Sequence, residues 1–178
     1  MDPLDVIYDQ YDPKSHTTAI LLAHSHKVRD KALAVAERVG HLQPDRDFIA
    51  QAALLHDIGI KHTSAPRLCC HGCLPYVCHG IAGREILMQY NLTRHGLVCE
   101  RHVGVGITAM DIRHQGLPLP LRDMEPVSLE EIIICYADKF FSKVNGEGEL
   151  PLESVVRQLN SYGPHQARRF LQWHAQFG

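Results

Sequence analysis

The chain has no apolar run approaching the roughly 20 residues needed for a membrane-spanning helix. Its longest such stretch, residues 132–137, is short and sits inside a helical pattern. The opening Met1-Asp-Pro-Leu-Asp5 is acidic and lacks the basic and apolar regions of a secretory leader. Cytoplasm is therefore the expected compartment. Charge imbalance is equally scarce. A formal net charge of −2 gives no bulk reason to bind a nucleic-acid polymer or an anionic membrane. A local basic pocket for a small phosphorylated molecule stays open. There is no glycine-rich nucleotide loop, internal repeat, low-complexity tract or domain-scale linker, and no alternating run that reads as a strand.

What remains is a globular composition, 45% hydrophobic and 21% charged, over 178 residues. That length encloses one sizeable core without cross-links, so a single domain over residues 1–178 is expected. The periodicity is helical nearly throughout. Helices are expected over residues 4–11, 15–40, 45–58, 79–90 and 93–103, with a short helical turn after Thr108. Gly40 is placed to cap the second of these, and Gly59 follows the third. Ser128-Leu-Glu-Glu131 reads as a capping box opening an apolar helix to about residue 142. A turn at residues 145–148 precedes two closing amphipathic helices over 151–177. Prolines 66 and 75 and Gly72 mark residues 61–77 as an irregular loop of functional length, and residues 116–126 form a second, proline-rich loop. The expected fold class is all-α.

Six cysteines in a cytoplasmic setting read as reduced thiols, yet Cys69, Cys70, Cys73 and Cys78 crowd into the first loop. Cys70 and Cys73 have zinc-knuckle spacing, but no second pair follows, and a lid role for the loop is the better expectation. Histidine is the conspicuous excess, at 13 residues. It is the commonest protein metal ligand and titrates near neutrality.

Six polar residues fall on stripes that should face the core. His24 shares a stripe with Leu21 and Val28, and His56 follows Ala52 and Ala53 with Asp57 beside it. His79 leads the stripe of Ala82, Gly83, Ile86 and Tyr90, and His102 lies one turn after Val98 and Cys99. Asp138 follows Ile134 and Cys135 and precedes Phe141. Positions three and four apart share a helix face, so these side chains should point inward. One inward histidine is ordinarily a hydrogen-bonded core residue. Two inward carboxylates with few inward cations are harder to accommodate, because a buried carboxylate costs several kcal/mol unless paired or coordinated. Four imidazoles and two carboxylates are best reconciled by one or two shared metal ions in a helical bundle.

His24-Ser25, His56-Asp57-Ile58-Gly59 and Tyr136-Ala137-Asp138-Lys139, in that order, resemble the HD-domain superfamily in its HDIG form, over about residues 18–143. The resemblance implies an HD-domain helical bundle with the closing helices packed on it, and a metal-dependent phosphohydrolase. It implies His24, His56, Asp57 and Asp138 as metal ligands, with His79 and His102 completing a second position and Asp57 bridging. The segment from Cys70-His71-Gly72 through Cys78-His79-Gly80 to Glu100-Arg101-His102 and Leu119-Pro-Leu-Arg-Asp123 is also similar to a group of uncharacterised bacterial HDIG proteins, which supplies no substrate.

Imidazole-rich sites suit iron, manganese, nickel, cobalt or zinc better than magnesium. The expected cofactor is one or two such divalent ions, with two favoured by the full set of ligands. Two ions would acidify a water and clamp phosphoryl oxygens, with Asp57 orienting that water. Lys61, four residues on, is a candidate to neutralise phosphate, although Ile60 intervenes where relatives place a basic residue after the glycine. Substrate contacts are sought at His71 or Tyr76 in the loop and at Arg67, Arg101, Arg113 and Arg122, since the guanidinium fork fits phosphate. The expected partner is a small phosphorylated, nucleotide-like molecule, and apolar faces on the last two helices allow a homodimer. Two other functions fit the same residues: a mixed-valence di-iron oxygenase, and a non-catalytic metal- or nucleotide-binding regulator.

Overall fold

Helix starts in this chain are set by short polar side chains. Asp2 accepts a hydrogen bond from the Leu4 N–H to open α1 (Pro3–Gln10), and Ser15 accepts from Thr18 to open α2 (His16–Arg38). Asp45 does the same from Phe48 for α3 (Arg46–Leu55). Each satisfies a backbone donor that the first helical turn leaves unpaired. The computed structural model describes residues 2–144 and 148–178. Among these, the chain continues through α4 (His79–Gln89), α5 (Thr93–Arg101), α6 (Ala109–Gln115), α7 (Leu129–Asp138), α8 (Leu152–Tyr162) and α9 (Pro164–Phe177). The fold is all-α. Its strands are a two-residue antiparallel pair, β1 (Ser64–Ala65) and β2 (Cys70–His71), with Ser64 opposite His71. No helix among the described residues is long and apolar enough to cross a membrane.

Several boundaries differ from the sequence expectation, each for a local reason. α3 ends at Leu55, and the chain passes through His56 and Asp57 into a 3-10 turn, Ile58–His62. Asp57 sits at φ −105°, ψ 9°, the bridge region between helix and strand. Gly59 lies so close to α4 that a Cβ there would come within 2.1 Å of the His79 carbonyl and 2.3 Å of the Gly83 nitrogen. Only glycine permits that approach. α2 ends at Arg38 rather than Gly40; a 3-10 turn over Gly40–Leu42 follows, and Gln43 takes the left-handed conformation. α5 and α7 stop earlier than expected, at Arg101 and Asp138, leaving His102 and Lys139 as their caps. Ser128 does cap α7 through the Glu131 N–H, but the Glu131 carboxylate turns to the Val127 N–H and to Arg101. The reciprocal capping box forms instead at Thr108 and Asp111 on α6. The expected turn at 145–148 lies largely outside the described residues.

Two large apolar clusters fill most of the interior among the described residues, with a smaller third around Ile107, Ile112 and Met124. One joins α2, α3 and α7 to α8 and α9 through Val28, Ile49, Ile133, Leu159 and Phe170, and the other joins α1 to α4 and α5 through Ile7, Leu21, Ile58 and Leu87. An aromatic group fastens the last helix: Tyr136 stacks on Phe170 at 5.2 Å and meets Phe177 edge-on at 5.4 Å. Such pairs add about 0.5–1.5 kcal/mol each beyond area burial. The polar centre lies along the seam between the clusters, because His24 separates Leu21 of one from Val28 of the other.

Candidate metal centre

All six predicted ligands are buried, from fully enclosed His56 and Asp57 to Asp138 at 6% exposure. They form two groups: His24, His56, Asp57 and Asp138, and Asp57, His79 and His102. Within each group the donor atoms lie within 4.8 Å of one another. Asp57 belongs to both. Its Oδ2 is 3.3 Å from His24 Nε2 and 3.1 Å from His56 Nε2, while its Oδ1 is 3.4 Å from Nε2 of both His79 and His102. One carboxylate thus faces a different half of the centre with each oxygen.

Helix ends aim the imidazoles. His56 caps α3, His79 begins α4 and His102 caps α5. In each ring Nδ1 lies against the backbone carbonyl three residues back, of Ala53 at 2.6 Å, Tyr76 at 2.6 Å and Cys99 at 2.8 Å. A carbonyl only accepts, so each Nδ1 carries a proton; Nε2 then presents a lone pair to the centre in neutral His79 and His102, and would do so in His56 once its second proton leaves. That is the tautomer a metal ligand needs, fixed by the partner of its other nitrogen.

The residues fit metal ions. Nε2 of His79 and Nε2 of His102 stand 3.1 Å apart, and with both Nδ1 atoms donating, two lone pairs oppose each other. A cation between them resolves the conflict. Asp57 Oδ1 has no aligned hydrogen bond despite complete burial, and such a group is costly without a ligand.

Charge organises the rest. Burial would raise the carboxyls of Asp57 and Asp138. Positive neighbours outweigh it, chiefly His56 and Lys143 for Asp57, and Lys139 and Lys143 for Asp138, holding both well below the usual range. Burial opposes protonation of His56, yet the two carboxylates lift it to about 9. His79 is pushed down to about 3 by burial, and His102 is lowered for the same reason, so both are neutral near pH 7.

Lys139 and Lys143 were not anticipated as site residues. Lys143 Nζ lies 2.6 Å from Asp57 Oδ2, and Lys139 Nζ lies 2.6 Å from Asp138 Oδ2 while donating to the His102 carbonyl at 3.2 Å. A signal existed for Lys139, adjacent to an inward aspartate at the end of an apolar helix. Lys143, five residues beyond Asp138 and past the helix end, gave none.

The other expected contacts scatter. Lys61 does not reach the centre; its ammonium donates to the carbonyl and Oε1 of Gln10, both at 2.8 Å, and lies over the Tyr11 ring. The intervening Ile60 is buried in the core, which turns Lys61 toward α1. Arg101 is held by both oxygens of Glu131 at 3.0 Å. Arg122 pairs with the buried Glu100, which Arg84 also holds. His71 and Arg113 are exposed and lie outside the cavity at the centre. Arg67 and Tyr76 line that cavity, and Tyr76 stacks on His79 at 4.6 Å. No metal-holding group among the described residues includes the loop cysteines; Cys69 and Cys73 are exposed, and Cys70 and Cys78 face the carbonyls of Leu68 and Pro118.

The cavity measures about 920 Å³ and reaches His79, His102 and Asp138. An all-helical bundle whose inward histidines and aspartates gather at the floor of a cleft defines a class of metal-centred proteins. The HD domain family model matches residues 21–142, and the chain belongs to that family.

A tRNA (cytidine(56)-2'-O)-methyltransferase of Picrophilus torridus is 35% identical over 124 residues, 69% of this chain and 32% of that protein. An uncharacterized protein of Methanocaldococcus jannaschii is 32% identical over 139 residues, 78% of this chain and 72% of its own. The methyltransferase of the same name from Thermoplasma volcanium is 27% identical over 165 residues, 92% of this chain and 42% of that protein. The chain thus spans 32% to 42% of the length of the methyltransferases it matches. No solved structure matches significantly.

Proposed function

We propose that this chain hydrolyses a phosphate ester of a small, nucleotide-like molecule. The observation that carries the reading is the double use of Asp57, one oxygen toward each of two ligand groups, beside a cavity lined by His79, His102, Asp138 and two lysines. Divalent ions there would supply Lewis-acid stabilisation of phosphoryl oxygens and a water acidified toward neutrality. The protein's own part is positional. Asp57 and Asp138 fix the charge of the floor, and neutral His79 and His102 offer lone pairs without needing to lose a proton.

Lys139 and Lys143 stand where an arriving phosphoryl group carries its negative charge, and Arg67 adds a guanidinium on the cavity wall. Burial of the floor strengthens these contacts relative to water. In the reaction the water oxygen bonds to phosphorus, the ester P–O bond breaks, and the leaving oxygen takes up a proton. The two methyltransferase relatives act, by name, on a nucleotide of tRNA, and this supports a nucleotide-like substrate for the module they share with this chain.

The test is phosphate release from nucleotides, cyclic nucleotides, dinucleoside polyphosphates and sugar phosphates by protein loaded in turn with iron, manganese, nickel, cobalt or zinc. Turnover abolished by His56→Ala is the expected result. No release with any metal overturns the proposal, and oxygen uptake with a paramagnetic di-iron signal would replace it with an oxygenase.

A further inference from the structure

The cavity extends well past the metal ligands, and its far walls differ in chemistry from its floor. Its cationic lining side chains come from the loop before α4, as Arg67, and from the segment after α7, as Lys139 and Lys143. α6 and α8 contribute none. Their single charged lining residue is Asp111, whose carboxylate is already engaged by the Thr108 N–H and hydroxyl and by His165 at 3.1 Å. The remaining lining of α8 is apolar or neutral: buried Val155 and Leu159, half-buried Ser154, exposed Gln158, and half-exposed Tyr162. Gln115 of α6 donates to the Tyr162 carbonyl at 3.5 Å, so the two helices frame one arm.

α8 also lies beyond the residues matched by the family model. α6 lies within the matched residues, and the volume of the cavity bears on what fills it. At about 920 Å³ the cavity is near the upper end of ligand pockets, roughly 300–1,000 Å³. A bare phosphate or glycerol phosphate would leave most of it to water. A second phosphate on the body of a substrate would meet Asp111 and no cation.

Resting on the hydrolase reading, we infer that α8 is a specificity element, in which Gln158 and Tyr162 contact the large uncharged body of a phosphomonoester that carries its charge at one end only. The apolar wall takes the faces of that body, and the amide and phenol take its hydrogen-bonding edge.

Three esters test this on the metal-loaded chain: adenosine 5′-monophosphate, adenosine 3′,5′-bisphosphate and glycerol 3-phosphate. The monophosphate should exceed each of the others in kcat/KM by about tenfold or more, on the scale a few pocket contacts provide. Gln158→Ala with Tyr162→Ala should lower that value about tenfold through KM and leave glycerol 3-phosphate unchanged. Both positions are exposed, so the helical signal and thermal midpoint should hold. Equal losses on the small and large esters, or no preference among the three in the parent protein, would overturn the inference. Should no ester be hydrolysed, the hydrolase reading fails separately, and calorimetry with adenosine 5′-monophosphate still decides the role of α8. Binding weakened about tenfold in the double variant supports it. Equal binding in both proteins, or none in either, refutes it.

Discussion

The two ligand groups share an aspartate but are otherwise unlike. His24, His56, Asp57 and Asp138 bring two carboxylates, and Lys139 and Lys143 stand against those same carboxylates. Asp57, His79 and His102 bring two neutral imidazoles and borrow their one carboxylate from the first group. An ion in the first group meets two carboxylates, already faced by two ammonium groups, and keeps three ligands if any one is lost. An ion in the second depends on Asp57 for all of its anionic ligation. The centre is thus asymmetric in strength although its ligands lie close together.

The sharpest way to break that comparison is Asp57→Asn, which removes the only group both halves share. The second ion should be lost on dialysis and the first held more weakly by its three remaining ligands, and turnover should fall on the order of 10³-fold or more; elemental analysis with a phosphate-release assay checks this. Next in size is His102→Ala, which should spare the first group. Metal content should drop to about one equivalent per chain, with affinity at the second position weakened about 10- to 100-fold. Equal loss of both ions would mean the halves are not separable.

Lys143→Gln should leave metal content unchanged and raise KM for a phosphate ester about tenfold or more, as loss of a charge-assisted hydrogen bond worth roughly 1.5–3 kcal/mol implies. Lys61→Gln, with its side chain turned to α1, should not share that effect.

The smallest effect is expected far from the centre. Asp45→Ala removes the α3 cap and should cost about 1 kcal/mol. The Phe48 N–H and Arg94 hold the Asp45 carboxyl below its ordinary value. Its contribution is therefore complete above the unfolded carboxyl's pKa, near 3.9, and lost as pH falls through the lower folded value. Urea unfolding of the two proteins should differ at pH 5 and above, and the difference should shrink as pH falls below the unfolded carboxyl's value.

Much of this was legible in the sequence because burial and periodicity are tied. An inward stripe containing His24 between Leu21 and Val28 has one physical meaning, and a second inward carboxylate left a cation as the simplest balance. Family likeness then gave the order of ligands along the chain. Tertiary routing was not legible. Lys61 lies four residues from Asp57, yet a 3-10 turn with buried Ile60 carries it to the far side. Lys143 arrives at Asp57 from 86 positions away in sequence, and nothing local marks it. Arg101 and Arg122 had the right chemistry for phosphate, but Glu131 and the buried Glu100 claimed them first.

The three imidazoles tied to their own backbone carry a mechanical consequence. A cation on Nε2 draws electron density from the ring and makes the opposite N–H a stronger donor. Each such donor ends on a carbonyl of the local turn, at Ala53, Tyr76 or Cys99. Occupancy of the centre would thereby be transmitted as tightening of three chain segments where α3 and α5 finish and α4 starts. Amide hydrogens in those turns should exchange with solvent more slowly as metal is added, reporting the ion from outside its own coordination sphere.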